Sequence, residues 1–142
     1  MEKGEEDKTL ERLAEFHGHL GPYVVVGYRM GQVANREISE DPFEKEAVAF
    51  TGRNPPVSCI VDGVQFSSGC TLGKGNVEID GDQEPSVEFS GNGTSLKTTL
   101  KKEVRELISG ADEDELEDLS GRLLRMPEDE LLVVEETRIQ EP

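Results

Sequence analysis

The sequence contains little of what marks several classes of protein. It has no tryptophan and only 5% aromatic residues, which argues against a stacking platform for nucleobases or carbohydrates. Its two cysteines are too few for a disulfide framework. No apolar run approaches the roughly 20 residues that cross a bilayer, and residues 1–8 are acidic instead of forming a basic leader. We therefore expect a cytoplasmic protein that does not insert into a membrane.

Basic residues are also scarce. The chain has 15 lysines and arginines against 31 aspartates and glutamates, which gives a formal net charge of -16. This charge repels phosphate backbones and anionic membranes at long range, so neither nucleic acid nor a membrane is an expected partner. It favours cationic ligands, basic partner surfaces or a high-salt cytoplasm, and a solvated surface that keeps the protein in solution also explains it.

The apolar periodicity predicts one domain that contains both helices and strands. Helices are expected over residues 7–16, from Pro22 to 37, over 101–109 and from Asp112 onwards. Strands are expected over residues 46–51, 77–79, 87–89, 95–99 and 131–137. The three strands within residues 77–99 are predicted to form an antiparallel meander. Residues 57–67 fit a strand by composition and a helix by period, so the pattern leaves them open.

Two local patterns have structural interpretations. Gly27 and Gly31 lie four residues apart and make one thin face on the second predicted helix, which indicates close packing of that helix against a sheet. The acidic run at residues 112–115 begins another predicted helix. Carboxylates at a helix N-terminus are stabilised by the macrodipole, and we favour this explanation over a metal site there.

The histidines and cysteines fall into two glycine-rich segments. His17 and His19 lie in the sequence FHGHLGP, and Cys59 and Cys70 lie downstream on either side of an apolar stretch. Imidazole and thiolate bind zinc and similar divalent metals strongly, so a metal site is the leading hypothesis. Histidines two residues apart point about 200° apart on a helix, so both reach one ion only from an irregular loop. The ligand spacing is far wider than the roughly two to five residues of a zinc finger.

Each of the neighbouring groups has a functional and a structural interpretation. Cys70 is predicted to be the exposed thiol of low pKa, whereas Cys59 is either a ligand or a small buried hydrophobe. Asp62 would lie one turn after Cys59 if the segment is helical, where it orients a ligand, acts as a general base or accepts backbone hydrogen bonds. Lys74 either holds a carboxylate or phosphate near the metal or caps a turn. The glycines around it do not match the phosphate-loop pattern.

Four ordered motifs between about residues 10 and 99 carry a resemblance to a known family. They are His17-Gly18-His19, the Pro22 helix with Gly27-Tyr28-Arg29-Met30, the segment CIVDGVQ at 59–65 and the segment GCTLGKGN at 69–76. Together they resemble the E-subunit family of formylmethanofuran dehydrogenase. The resemblance implies an α+β fold in which a mixed or antiparallel sheet packs against helices, with the Cys59 segment helical. It also implies a setting in one-carbon metabolism, beside a molybdenum- or tungsten-dependent enzyme.

The chain departs from the family pattern in two places. The family motif reads His-Gly-His-x-Cys-Pro, and this chain has Gly21 where that cysteine would be. The family also often carries a cysteine-rich zinc ribbon at the C-terminus, and residues 101–142 contain no cysteine. We therefore describe residues 100–142 as a C-terminal extension of helices and a strand within the same domain.

Correspondence with the family leaves three ligands for one divalent metal, zinc being the best match. They are His17 or His19, together with Cys59 and Cys70. A site with three protein ligands and an open position is typical of a catalytic or substrate-binding metal. Asp62 and Lys74 are predicted beside it, with Asp62 accepting the proton of an activated water.

Two other functions also fit the sequence. In the first, the protein is a non-catalytic accessory or assembly protein without a functional metal site, and its acidic surface docks a basic partner such as a dehydrogenase subunit. In the second, Cys59 and Cys70 carry out thiol redox chemistry. A homodimer is expected as well, from the Gly27/Gly31 face and from the habit of the family.

Overall fold

The helices and strands lie close to where the apolar periodicity places them. The computed structural model describes residues 3–138. Its helices are Lys3–His17 (α1), Pro22–Glu37 (α2), Ile60–Ser68 (α3), Lys102–Gly110 (α4), Leu116–Arg125 (α5) and Glu128–Leu131 (α6). Its strands are Glu46–Ala49 (β1), Val77–Ile79 (β2), Ser86–Gly91 (β3), Thr94–Leu100 (β4) and Leu132–Arg138 (β5). These elements form the predicted α+β domain, and none of the helices in this range is both long and apolar enough to cross a membrane.

The strands form one mixed sheet in the order β2-β1-β3-β4-β5. β1 pairs in parallel with β2, with Ala47 opposite Val77, and the other neighbours are antiparallel. The predicted meander over residues 77–99 is therefore wrong, because β1 lies between β2 and β3. Turn residues show where the chain reverses, but they do not specify which strand it meets. The small, apolar β1 gains backbone partners on both sides by taking this position.

Glycines bring α2 and α3 into backbone contact. A methyl group at Gly27 would overlap the Ile60 carbonyl, and one at Gly63 would overlap the Val24 carbonyl. Residues 60–68 form a helix in this packing, which resolves the segment that the pattern left open. The thin face with Gly31 thus packs against a helix, and the expected packing against a sheet is wrong. Because the Gly27/Gly31 face packs against α3 of the same chain, it does not support the homodimer, which stays a prediction.

One hydrophobic core joins the sheet to the helices. Phe89 of β3 and Leu96 of β4 are fully buried in the same cluster as Met30 of α2 and Leu123 of α5. Burial of apolar side chains of this size contributes about 1.5–3 kcal/mol each. Helices from both ends of the chain therefore share the core with the sheet.

The C-terminal helices are fixed by polar contacts as well. Arg29 of α2 donates hydrogen bonds to the carbonyls of Leu123 and Met126 at 2.8 and 2.7 Å, at the end of α5 where carbonyls lack helical partners. At the start of the same region, Asp112 and Glu115 form a capping box. This reciprocal cap involves two of the acidic residues at 112–115 and agrees with the structural interpretation of that run.

Candidate metal centre

The two histidines lie where α1 gives way to α2. His17 is the last residue of α1, and Gly18 ends the helix with φ of +102°, a value that favours glycine. The chain then passes through His19 to Pro22, which begins α2 at a position where its missing N–H is not needed. The sharp reversal places the two imidazole rings 4.7 Å apart between centroids. The predicted irregular connection therefore brings both histidines to one place.

Asp62 holds the ring of His17. It lies in the first turn of α3, and its Oδ2 is 2.5 Å from His17 Nδ1. A carboxylate accepts the Nδ1 proton, which leaves the lone pair of a neutral imidazole on Nε2. That Nε2 atom is buried and has no hydrogen-bond partner among the described residues, and the side chain is only 9% exposed. A buried polar atom without a partner costs free energy unless a ligand or ion satisfies it.

Both histidines line a cavity of about 270 Å³. Its walls come from the α1–α2 connection, the start of α2, the turn before α3 and the α4–α5 connection. The lining residues are His17, His19, Leu20, Gly21, Pro22, Tyr23, Val24, Pro56, Cys59, Ile108, Ser109, Ala111 and Leu116. No aspartate, glutamate, lysine or arginine occurs among these described lining residues.

Cys59 is the thiol of this cavity. It lies in the turn Val57–Cys59 directly before α3 and is partly buried. Burial raises its pKa above the usual value for a thiol, and the nearby Asp62 carboxylate raises it further. The thiol is therefore protonated at neutral pH unless a cation compensates the charge. A bound metal ion supplies such compensation and would deprotonate it.

Cys70 is not the exposed, low-pKa thiol that the sequence predicts. Gly69 ends α3 in the left-handed conformation, and Cys70 follows it fully buried, with its N–H donating to Ser68 Oγ at 3.0 Å. Burial raises the Cys70 pKa, although the Ser68 hydroxyl and the Lys45 ammonium act in the opposite direction. It is not among the residues that line the histidine cavity. Its role as a metal ligand stays a prediction.

Lys74 also lies outside the cavity lining. It ends the turn Leu72–Lys74 with its side chain exposed, 3.5 Å from Thr71 Oγ1 and over the Phe43 ring at 5.9 Å from the centroid. The turn is capped by Thr71, whose hydroxyl accepts from the Lys74 N–H at 3.3 Å. A catalytic role for Lys74 therefore has no geometric support here and stays a prediction.

The donor atoms share a cavity without forming a closed site. Across residues 3–138, no three or more histidine, cysteine, aspartate and glutamate side chains gather as a metal-ion site. His17, His19 and Cys59 line one cavity and Asp62 contacts His17, whereas Cys70 and Lys74 do not line this cavity.

The walls of the cavity that come from the C-terminal region are absent from the sequence-based prediction. Ile108 and Leu116 lie on either side of the α4–α5 connection and face the same cavity as the histidines. Their helical spacing predicts apolar faces on two helices. It carries no signal that these faces meet a loop about ninety residues earlier in the chain.

A family model matches most of the chain. The model described as "FmdE, Molybdenum formylmethanofuran dehydrogenase operon" matches residues 16–133. The match begins next to the histidine motif and runs past Thr99, where the sequence resemblance ends. It includes α4 and α5, and so it includes the C-terminal walls of the cavity.

Two individual proteins are similar to the chain. A "Probable S-adenosyl-L-methionine-binding protein" from Archaeoglobus fulgidus is 28% identical over 155 aligned positions, which cover 89% of the chain. The chain spans 42% of the length of that relative. A solved structure from Syntrophus aciditrophicus, of a protein like FmdE of tungsten formylmethanofuran dehydrogenase, superposes with a TM-score of 0.70 at 19% identity, covering 95% of the chain and 73% of that protein. At this identity the second similarity establishes the fold.

Proposed function

The chain belongs to the FmdE family, and on that premise we propose that it binds one divalent metal ion, zinc foremost, in the cavity lined by His17, His19 and Cys59. The observation that carries this proposal is the unpartnered, buried Nε2 of His17. Its ring is oriented by a carboxylate on the opposite nitrogen, which is the arrangement found behind histidines that ligate metals. The proposal leaves out Cys70, because it does not line the cavity.

The chemistry of the donors fits a borderline divalent ion. Two imidazoles and one thiol match the nitrogen and sulfur ligands that zinc prefers, and three protein ligands leave one position for a substrate or water. His19 is exposed and directly follows Gly18, which has φ of +102°, so its ring has room to adjust towards His17 when an ion binds. A bound ion of this kind supplies Lewis acidity at the open position.

The residues of the chain set the surroundings for that chemistry. Asp62 orients the ring of His17 through the hydrogen bond to Nδ1, and apolar side chains make up much of the cavity wall. The Asp62 side chain does not line the cavity, is 39% exposed and contacts His17 through Oδ2. It therefore acts as a positioning residue for His17. From its family, we propose that the protein acts in the one-carbon metabolism of formylmethanofuran, in the cytoplasm beside a molybdenum- or tungsten-dependent dehydrogenase.

The description of the Archaeoglobus relative raises S-adenosyl-L-methionine as a ligand. That molecule carries a carboxylate, an ammonium and a sulfonium, and burying such groups without partners is costly. The described lining of the histidine cavity offers no charged side chain to pair with them. We therefore do not extend that binding function to this cavity.

A second candidate function has its own observation. Phe43 and Leu72 are 76% and 78% exposed, and Lys74 links their two turns by lying over the Phe43 ring. Large exposed apolar side chains of this kind are typical of protein contacts. In this alternative the protein is an acidic accessory protein that docks a dehydrogenase subunit. Loss of that association in Phe43→Ser/Leu72→Ser, with unchanged metal content, would support it over a metal-dependent role.

Elemental analysis of purified variants tests the metal site. We expect one divalent ion per chain in the wild type and in Cys70→Ser, and loss of the ion in His17→Gln and Cys59→Ser. For Asp62→Asn we expect about 10–100-fold weaker metal binding, the usual cost of removing a carboxylate behind a ligating histidine. Glu78→Gln, in the exposed cleft that Asp62 also lines, is the matched control. Equal metal content in all variants would disprove the site. Loss of metal in Cys70→Ser would show that Cys70 is a ligand, as the sequence predicts.

A further inference from the structure

We infer that the ligand of the histidine cavity is a small, uncharged aliphatic compound with a single metal-binding donor group at one end. This inference rests on the proposed metal site and adds the class of molecule that occupies its open position. It follows from how polarity, charge and size are distributed over the cavity wall.

The metal-binding side chains of the cavity come from two segments of the chain. His17, His19 and Cys59 come from the α1–α2 connection and the turn before α3. The remaining wall is mostly aliphatic, with Leu20, Val24, Pro56, Ile108, Ala111 and Leu116, and it also includes Tyr23 and Ser109. A ligand that binds the metal through its head would therefore place its tail among hydrocarbon groups.

Charge is excluded from this wall in a chain that is otherwise rich in it. Charged residues make up 32% of the sequence, yet none lies among the described residues of the cavity lining. The cleft beside β2, by contrast, is lined by Arg53, Glu78 and Asp80. A phosphate, carboxylate or ammonium on the tail would lose hydration in the cavity without meeting an oppositely charged side chain in the described lining. Nucleotides and polyanionic cofactors are accordingly poor ligands for this cavity.

The size of the cavity limits the tail. Its volume of about 270 Å³ lies just below the usual range of about 300–1,000 Å³ for sites that enclose drug-sized ligands. Ile108 and Leu116 form the wall contributed by the C-terminal region, and Ile108 is only 7% exposed. The α4–α5 connection therefore determines how long a tail the cavity accepts.

The test uses Co²⁺-substituted protein and linear thiols, with binding followed by the change in the cobalt absorption spectrum under anaerobic conditions. From ethanethiol to butanethiol we expect affinity to rise about fourfold per added methylene, the gain for burying that group. We expect 3-mercaptopropionate, which matches butanethiol in length but ends in a carboxylate, to bind no better than ethanethiol. Equal affinity along the series, or equal affinity for the matched pair, would overturn the inference.

Variants of Leu116 test whether the tail of the ligand lies in the cavity. We expect Leu116→Phe to abolish the advantage of butanethiol while leaving cobalt bound, and Leu116→Ala to extend the gain to longer thiols. Leu107→Phe is the control, since Leu107 lies on α4 but lines the neighbouring groove. If Leu116→Phe does not fold, Leu116→Ala decides, and an unchanged length preference in it counts against the inference. Failure of cobalt to bind at all would instead reject the proposed metal site.

Discussion

The two cysteines lie at opposite ends of one helix and have opposite environments. Cys59 directly precedes α3 and lines the histidine cavity, whereas Cys70 lies just past its end and is fully buried. The nine residues of α3 rise about 13 Å. A single ion can bind both thiols only if the helix unwinds, and a disulfide needs Cα atoms within about 7 Å. We call the end of α3 at Cys59 the chemical end and the end at Cys70 the structural end.

The structural end is built around a buried lysine. Lys45 is 1% exposed, and its ammonium donates to Asn35 Oδ1 and, at 2.7 Å, to the carbonyl of Ser39. Asn35 in turn donates to the Ser67 carbonyl at 2.9 Å, near the end of α3. Burial lowers the pKa of Lys45, although the neighbouring Cys70, Glu40 and Asp41 act in the opposite direction. Thus polar groups at this end satisfy one another, while at the other end His17 Nε2 has no partner among the described residues.

The largest expected difference between the two ends of α3 is the rate at which their thiols are alkylated. In metal-free folded protein we expect iodoacetamide to alkylate Cys59 through the cavity and Cys70 only during unfolding. A fully buried group in a stable core is protected on the order of a thousandfold or more. Peptide mass mapping over time measures both rates, and unfolding in urea supplies the control in which both react. Comparable rates in the folded protein would contradict the assignment of Cys70 to the core.

A large effect on stability is expected from Lys45→Met. The substitution keeps the volume but leaves the acceptors on Asn35 and Ser39 without their donor, at a cost of about 2–4 kcal/mol in the free energy of unfolding. Urea denaturation measures this loss. Lys74→Met, at an exposed lysine, is the control and should change stability by less than about 0.5 kcal/mol. Metal content should be unchanged in both variants if the two ends of α3 are independent.

A smaller effect, a gain in zinc affinity, is expected when a second thiol is introduced at the chemical end. Position 21 lines the cavity, and a β-carbon there would lie 3.2 Å from His19 Cε1. Gly21 has an extended backbone with φ of -141°, which any residue adopts. We therefore expect Gly21→Cys to supply a further ligand and to tighten zinc binding on the order of tenfold. Gly21→Ser controls for bulk, and a cysteine variant that binds no more tightly than the serine variant would argue against ligands at this end.

Local features of the fold could be predicted from sequence because they depend on neighbouring residues. Pro22 and the apolar period indicate α2, and glycine between the histidines marks the end of α1. The position of β1 between β2 and β3 could not be predicted, since strand order depends on burial of the whole sheet. The predicted exposure of Cys70 is wrong for a related reason. A glycine before a thiol suggests exposure, but the left-handed Gly69 turns the chain into the core.

The candidate site was predictable in its residue types and less so in its geometry. Histidine and cysteine indicate the chemistry, and His17, His19 and Cys59 share a cavity. The hydrogen bond from His17 to Asp62 joins residues 45 positions apart, so it depends on the packing of α1 against α3. From sequence, Asp62 could equally orient a ligand or accept backbone hydrogen bonds. The wall from α4 and α5 could not be predicted, because each helix shows only that it has an apolar face.

The smallest effect on stability is expected from a surface ion pair away from both cysteines. It gives a baseline for the effects expected at the two ends of α3. Arg36 forms hydrogen bonds with Glu128 at 2.7 and 3.0 Å, and the bond lowers the Glu128 pKa below its ordinary value of 4.5. Because the pKa is depressed in the folded state, the pair stabilises the protein above the ordinary pKa and loses this contribution as pH falls through the folded pKa. The pair is largely exposed, so we expect only a few tenths of a kcal/mol. Glu128→Gln should remove this acid-dependent loss in urea denaturation followed from about pH 6 to pH 3. A loss as large as that in Lys45→Met would mean that surface charge, and not the buried network, dominates the stability of this acidic protein.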